Sequence, residues 1–269
     1  MPAIKTAIVG VGAVGESLAS LFPHASLYDE PKGIGSRADV NGCDVAFVCV
    51  PTPALHDGSC DTSIVEGVVA WLEAKVIVIC STVIIGTTER LRRQTGKRLV
   101  FSPEYGPGDS PGHPFRDRRA VNWLILGGEL EDCQVVADVF KTAFSADLVI
   151  RFTDSRTAEM AKYMENAFLA LKVTFCNWFY DLAESSGVNY DELRELWLLD
   201  PRMGRSHTFV YQDDRGYGGS CLPKDVDALL SFAETNGIET GVLGAMRNSN
   251  AAHRGANRAP AAAGTTGLE

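Results

Sequence analysis

The chain has 269 residues, 45% hydrophobic and 22% charged, enough for one large or two modest globular domains with a sizeable core. A formal net charge of −9 argues against nucleic acid or an anionic membrane as partner, so an anionic ligand would need local basic residues. No apolar run approaches the ~20 residues of a membrane span, and the N-terminus lacks a signal-peptide layout, which predicts a cytoplasmic protein.

The chain opens with a strand over residues 4–9, then Gly10-Val11-Gly12-Ala13-Val14-Gly15, then an apolar-periodic helix over 16–22. A bare GxGxxG is common, but between a strand and a helix at a chain start it reads as a dinucleotide fingerprint. Gly10 serves the tight turn, Gly12 the close approach of a pyrophosphate, and Gly15 the packing of helix on strand. Free N–H groups at the helix start face the phosphates. A second strand over 26–28 ends at Asp29, spaced to accept from a ribose 2′-hydroxyl and to repel a 2′-phosphate. NAD is therefore the expected cofactor, held at Gly10, Val11, Gly12, Val14, Gly15 and Asp29, with Lys32 adding a contact.

Further strands are expected at 44–50, 76–80, 99–101 and 123–126, with helices such as 64–71 and 88–94 between them. This alternation predicts an α/β, doubly wound parallel sheet, whose ligands sit beyond the carboxyl ends of the strands. Val50-Pro51-Thr52-Pro53, Ser81-Thr82-Val83 and Ser102-Pro103-Glu104-Tyr105 occupy three such ends and form a rim around one mouth. Val50, Pro51, Thr52, Ser81 and Thr82 accordingly join the cofactor set.

Residues 157–184 carry one long helical pattern, with Asp154 or Ser155 as its cap. Ala161, Met164, Phe168, Leu171, Phe175, Trp178 and Leu182 form a seam that predicts packing along another helix, from a second subunit in a homodimer. Lys162 and Asn166 point away from that seam, on a stripe continued by Leu169 and Val173. A polar pair on a helix buried on two sides predicts a pocket there. A further helix over 191–198 precedes Asp200-Pro201-Arg202-Met203-Gly204 and a loop through Tyr211.

Residues 216–225 read Gly-Tyr-Gly-Gly-Ser-Cys-Leu-Pro-Lys-Asp. Glycines clear the approach to Cys221, and Leu222-Pro223-Lys224-Asp225 starts a helix that runs to about residue 233. A thiol at a helix N-terminus beside a lysine has the setting that favours the nucleophilic thiolate. Asp225 lies one turn on, on the same face. The seven cysteines, at 43, 49, 60, 80, 133, 176 and 221, lack metal-ligand spacing, which predicts buried thiols in a reducing compartment and no metal site. Only Cys221 has a chemical neighbourhood.

This ten-residue string closely resembles the cysteine motif of the UDP-glucose and GDP-mannose dehydrogenase family, which oxidises a sugar-nucleotide alcohol to the acid with NAD. The rim strings resemble that family in the same order: Val-Pro-Thr-Pro is followed by Asp57, Gly58 and Asp61. Ser-Thr-Val-x-x-Gly-Thr-Thr matches the strand end whose threonine, here Thr82, lies near the nicotinamide and a catalytic water. Pro-Glu matches the glutamate of the hydrolysis step, here Glu104. Lys162-x-x-x-Asn166-Ala-Phe-Leu-Ala-x-Lys172 resembles the family's catalytic lysine and asparagine helix. Arg202-Met-Gly is similar to the segment whose arginine reaches the neighbouring subunit's substrate site, with Arg205 as the alternative. The resemblance thus implies Cys221, Lys162, Asn166, Asp225, Glu104 and Thr82 as catalytic residues. It implies Lys162, Asn166, Arg202, Tyr211, Gly218 and Lys224 as the substrate set.

The implied organisation is an NAD-binding Rossmann domain over 1–150, a helical dimerisation and catalytic domain over 151–255, and a disordered tail over 256–269. The resemblance runs from residue 4 to about residue 254 and is absent over 31–41. Two departures fall on the substrate side. The family carries a second Rossmann domain after the helical one, and a second glutamate where this chain has Gly108 beside Asp109. Both predict a substrate smaller than, or held differently from, a full UDP-sugar. The implied chemistry oxidises a primary alcohol of a sugar, nucleoside or sugar nucleotide to the acid, through a Cys221 thiohemiacetal and thioester. The alternatives are a single-hydride dehydrogenase or epimerase, and a nucleotide-binding partner protein without turnover.

Overall fold

The computed structural model describes residues 4–105, 117–144 and 147–256. Gly108, Asp109 and the tail expected beyond residue 256 lie outside the described residues. Two compact units are present, Met1–Met164 with Asp227–Phe232, and Glu165–Val226 with Ala233–Glu269.

The first unit contains β1 (Thr6–Val9), α1 (Ala13–Leu21), β2 (Ser26–Tyr28), α2 (Arg37–Val40), β3 (Val45–Val48), α3 (Ser63–Trp71) and β4 (Val76–Ile79). It continues through α4 (Thr87–Thr95), β5 (Leu99–Phe101), β6 (Trp123–Gly128), α5 (Leu130–Lys141) and β7 (Val149–Thr153). The strands form one sheet in the order β2-β1-β3-β4-β5-β6-β7. Every residue of β3 and β4 is buried, as their unbroken Val/Ile/Phe/Ala runs require of parallel strands covered on both faces. One face packs Val9, Val65, Leu72 and Ile79, and the other packs Ile8, Leu18, Phe47 and Phe140. Tyr28, Val9, Val48, Ile79 and Phe101 stand in one register row across five strands. The turns that follow them therefore emerge along a single edge of the sheet, which is why the rim residues share a side.

The sheet departs from all-parallel pairing at β6, which runs antiparallel to β5, and β7 pairs parallel to β6. Parallel neighbours need a long crossover, usually a helix, whereas an antiparallel return does not. Among the described residues between β5 and β6 there is only a single 3₁₀ turn, Arg118–Ala120. At the end of β6, a Cβ on Gly127 would lie 2.6 Å from Ala158 Cβ, so glycine there lets the next helix close onto the strand.

That helix, α6 (Ser155–Ser185), is capped as expected: Asp154 accepts from Thr157 N–H at 2.9 Å and from its hydroxyl at 2.6 Å. Such a cap contributes about 1 kcal/mol. Helices α7 (Tyr190–Trp197), α8 (Leu222–Thr235) and α9 (Gly241–Ala256) follow. Along α6 the seam residues Met164, Phe168, Leu171, Phe175, Trp178 and Leu182 are exposed, while Lys162 and Asn166 on the other face are buried. Among the described residues no helix is long and apolar enough to cross a membrane, and no cluster of three or more His, Cys, Asp or Glu could hold a metal.

Candidate active site

The glycine turn is built as its spacing implies, and each glycine has its own reason. Gly10 sits at φ +91, and a Cβ there would lie 2.7 Å from the Cys49 carbonyl oxygen. A Cβ on Gly15 would lie 2.0 Å from the Gly10 carbonyl oxygen. A Cβ on Gly12, the N-cap of α1, would meet no protein atom within 4 Å, and the helix start has no capping side chain. Packing explains Gly10 and Gly15, whereas the open space at Gly12 and the uncapped helix start fit a pyrophosphate. Asp29 follows β2 and accepts from Val11 N–H at 2.8 Å and Lys32 N–H at 3.0 Å, while Lys32 Nζ donates to Val11 O at 2.5 Å. Asp29, Val11 and Lys32 are thus joined, and Val14 packs on the sheet core.

The rim strings are pinned to one another. Thr52 Oγ1 donates to Thr82 O at 2.7 Å, and Ser81 Oγ donates to Val50 O at 2.6 Å. Val50 is half-buried and Pro51 exposed at the same edge. A residue that the sequence reading missed braces the far end of this segment. Glu159 of α6, fully buried, accepts from Gly86 N–H at 2.5 Å and Thr88 N–H at 2.9 Å. It caps α4, whose own N-cap, Gly86, has no side chain to do so. Burial pushes the Glu159 carboxyl above its ordinary range, and these donors oppose the shift.

Glu104 is buried beside another missed residue, Arg118, whose Nε lies 3.1 Å from Glu104 Oε2. The guanidinium also lies over the Phe140 and Phe144 rings. Burial raises the Glu104 carboxyl above its ordinary range, while Arg118 and Lys162 pull the other way. Lys162 is itself buried, its Nζ 4.7 Å from the centroid of Tyr105. Chain order hid Arg118, which stands 14 residues from Glu104 within the run Arg116-Asp117-Arg118-Arg119, where nothing sets it apart from its neighbours.

In the second unit Asn166 and Asp225, 59 residues apart, meet in the interior: Asn166 Nδ2 donates to Asp225 Oδ2 at 2.5 Å. Lys224 Nζ donates to Asp225 Oδ1 at 2.5 Å, so both oxygens of a carboxylate only 2% exposed are engaged. Cys221 stands immediately before α8, and its carbonyl accepts from Asp225 N–H at 3.0 Å. Cys221 is exposed, Cys49 half-buried, and the other five cysteines buried. Gly218 lies in the glycine-rich turn, against the Arg254 guanidinium. Arg202 and Tyr211 are both exposed, and Arg202 forms a fork with Asp200, its Nε 2.9 Å from Oδ2. Arg205 pairs instead with Glu195, its Nη1 2.8 Å from Oε1. Lys172 Nζ holds the intervening turn by Met203 O at 2.8 Å and Gly204 O at 2.5 Å.

Residues 34–144 match the NAD binding domain, and residues 156–252 the central domain, of the UDP-glucose/GDP-mannose dehydrogenase family. The UDP-glucose 6-dehydrogenase of Rhizobium meliloti is 33% identical over 214 residues, 74% of this chain and 48% of its own length. The UDP-N-acetyl-D-mannosamine dehydrogenase of Pyrococcus horikoshii is 34% identical over 208 residues, 73% of this chain and 48% of its own. The structure of a UDP-glucose dehydrogenase from Pyrobaculum islandicum superposes with a TM-score of 0.79 at 25% identity, covering 93% of this chain and 68% of that one. The chain spans about half the length of the curated relatives it matches. Two family domains in order, on a seven-stranded Rossmann-like sheet followed by helices, place the chain in the UDP-glucose/GDP-mannose dehydrogenase family.

Proposed function

We propose that this protein is an NAD-dependent dehydrogenase that oxidises a primary alcohol of a sugar, nucleoside or sugar nucleotide to the carboxylic acid. The observation that carries the reading is the buried Asn166–Asp225–Lys224 cluster one helical turn beyond the exposed Cys221. Burying a carboxylate costs several kcal/mol unless it is paired and hydrogen-bonded, and chemistry is a reason to keep one beside an exposed thiol. The relatives' names supply the reaction class, and the open space at Gly12 supports the cofactor.

The Gly10–Gly15 turn and Asp29 hold the cofactor, with Val50, Pro51, Thr52, Ser81 and Thr82 along the rim. Bound NAD supplies the hydride acceptor for each of two oxidation stages. Lys162 and Asp225 take and return the proton of the alcohol, and Asn166 donates to the developing oxyanion. The Cys221 thiolate adds to the aldehyde carbon, giving a thiohemiacetal, and the second oxidation leaves a thioester. Glu104 and Thr82 orient the water that attacks that thioester; the carbon–sulfur bond breaks and the thiol is regenerated. The balance is alcohol, one water and two oxidised cofactors giving carboxylate, two reduced cofactors and three protons. Arg202, Tyr211, Gly218 and Lys224 contribute to substrate binding, and the α6 seam forms a homodimer in which Arg202 acts on the partner's site.

The test is a count of NADH formed per substrate consumed, with UDP-glucose, UDP-N-acetylmannosamine and uridine as probes. Two NADH per acid supports the reading. One NADH per product would replace it with single-hydride chemistry, and no NADH with any probe would leave a binding protein.

A further inference from the structure

Helix α9, which the sequence reading did not single out, brings a buried amide to the turn that leads to Cys221. Asn250, 8% exposed, accepts from Tyr217 N–H at 2.7 Å through Oδ1 and donates to Tyr217 O at 3.0 Å through Nδ2. The bracket holds a backbone donor and a backbone acceptor of one residue, so it sets the orientation of the turn as well as its distance. A second buried amide does the neighbouring residue: Asn177 Oδ1 of α6 accepts from Gly216 N–H at 3.1 Å and from Arg215 Nε at 2.7 Å. Consecutive N–H groups, four and five residues before Cys221, are therefore held by asparagines on two different helices.

The glycines of the turn are shaped to this clamp. Gly216 has φ +78, and a Cβ there would lie 2.5 Å from Asn250 Oδ1. A Cβ on Gly218 would lie 3.1 Å from Arg254 Nη2, one turn further along α9. The glycine-rich spelling of this turn, read from sequence as clearance for a ligand, also serves close approach of α9.

We propose that Asn250 is a positioning residue for Cys221: by fixing the Gly216–Gly218 backbone against α9 it sets where the thiol stands at the start of α8. This rests on the proposed role of Cys221 as nucleophile. Attack requires reacting atoms within about 3–3.5 Å, and a misplacement of ~1 Å can cost about 100-fold in rate. Removing the amide strands a buried N–H and C=O, and the turn can only recover them by moving.

The test uses the full chain carrying Asn250→Ala, Asn250→Asp or Gly216→Ala. The first readout is alkylation of Cys221 by iodoacetamide at fixed pH, followed by mass spectrometry, which needs neither cofactor nor substrate. The second is kcat and KM with NAD and whichever of the proposed probes yields NADH, per folded molecule and below the unfolding transition. Asn250→Ala is expected to change the alkylation rate at least about fivefold and to lower kcat about 10- to 100-fold, leaving KM for NAD unchanged. Asn250→Asp keeps the acceptor for Tyr217 N–H and is expected to recover part of both. A merely structural amide would lower the melting temperature yet leave the folded protein's alkylation within about twofold of wild type, and that result overturns the proposal. Should Asn250→Ala fail to fold, Gly216→Ala presses on the same contact from the other side and is judged by the same criterion. If the wild type makes no NADH, the oxidation reading falls, while the alkylation rates still decide whether Asn250 positions the thiol.

Discussion

Arg118 and Glu104 form an ion pair at 3.1 Å with side chains only 3% and 5% exposed. Removing the cation from a buried pair costs about 3–5 kcal/mol, close to the ~3–4 kcal/mol needed to protonate an ordinary glutamate at neutral pH. In Arg118→Leu the Glu104 carboxyl should therefore take up a proton rather than stay charged.

The sign of the pH effect follows. In its proposed role Glu104 must be ionised to orient water as a base, and burial already raises it above the ordinary carboxylate range. Losing Arg118 raises it further, so the acidic limb of the kcat profile should move to higher pH. The raised carboxyl favours the protonated form in the fold, so stability from this group is lost as pH rises through its folded value. An unchanged acidic limb in NADH assays of Arg118→Leu would remove Glu104 from the hydrolysis step.

Glu159→Ala frees two N–H groups at the start of α4, those of Gly86 and Thr88. At about 1–3 kcal/mol for each stranded donor, the unfolding free energy should drop by roughly 2–6 kcal/mol. That corresponds to a fall in melting temperature of roughly 4–11 °C for a chain this size, measurable by calorimetry. A fall under a degree would mean that water replaces the carboxylate without loss.

Cys221→Ser should stall after the first oxidation, giving at most one NADH, slowly, where the wild type gives two per product. Cys221→Ala should release or hold aldehyde without acid. Near-normal acid production by Cys221→Ala, followed by chromatography, would refute the thioester route.

Asp29→Ala removes the acceptor proposed for a ribose hydroxyl and also releases Val11 N–H from its 2.8 Å bond. The preference for NAD over NADP should narrow, read as the ratio of their kcat/KM values. Equal or better use of NADP by the unmutated protein would contradict the cofactor assignment.

The α6 seam leaves Met164 74%, Phe168 60% and Trp178 54% exposed in a single chain. A contiguous apolar stripe of this kind marks an interaction surface. Light scattering at micromolar concentration should find a dimer, and Phe168→Lys should shift it towards monomer. A monomeric wild type would remove both the interface and the trans role of Arg202.

The strongest local signals were legible in the chain itself. The glycine turn, the unbroken apolar runs of β3 and β4, the exposed apolar seam along α6 and the helix start after Cys221 are each readable within a few residues, because turn geometry, strand burial and helical period are short-range properties. Elements with weak patterns escaped notice: β7 is an exposed edge strand, and α9 is a polar helix containing Gly241, Gly244 and Gly255. The antiparallel turn to β6 likewise has no mark in its residues, since the direction of a strand depends on the path of the chain between strands.

The residues themselves determined which family the chain joins and which side chains are the candidates for chemistry, because the cysteine, the lysine and the asparagine sit in strings that spell out their own local structure. Tertiary structure alone decided what each of them touches. Arg118 reaches Glu104 across 14 residues, Glu159 caps α4 from 71 residues away, and Asn250 clamps Tyr217 across 33. These partners are ordinary polar residues with no motif of their own. Their roles come from burial, where an unmet N–H or a lone carboxylate costs enough free energy that the fold must bring it a partner, from whatever part of the sequence the packing makes near.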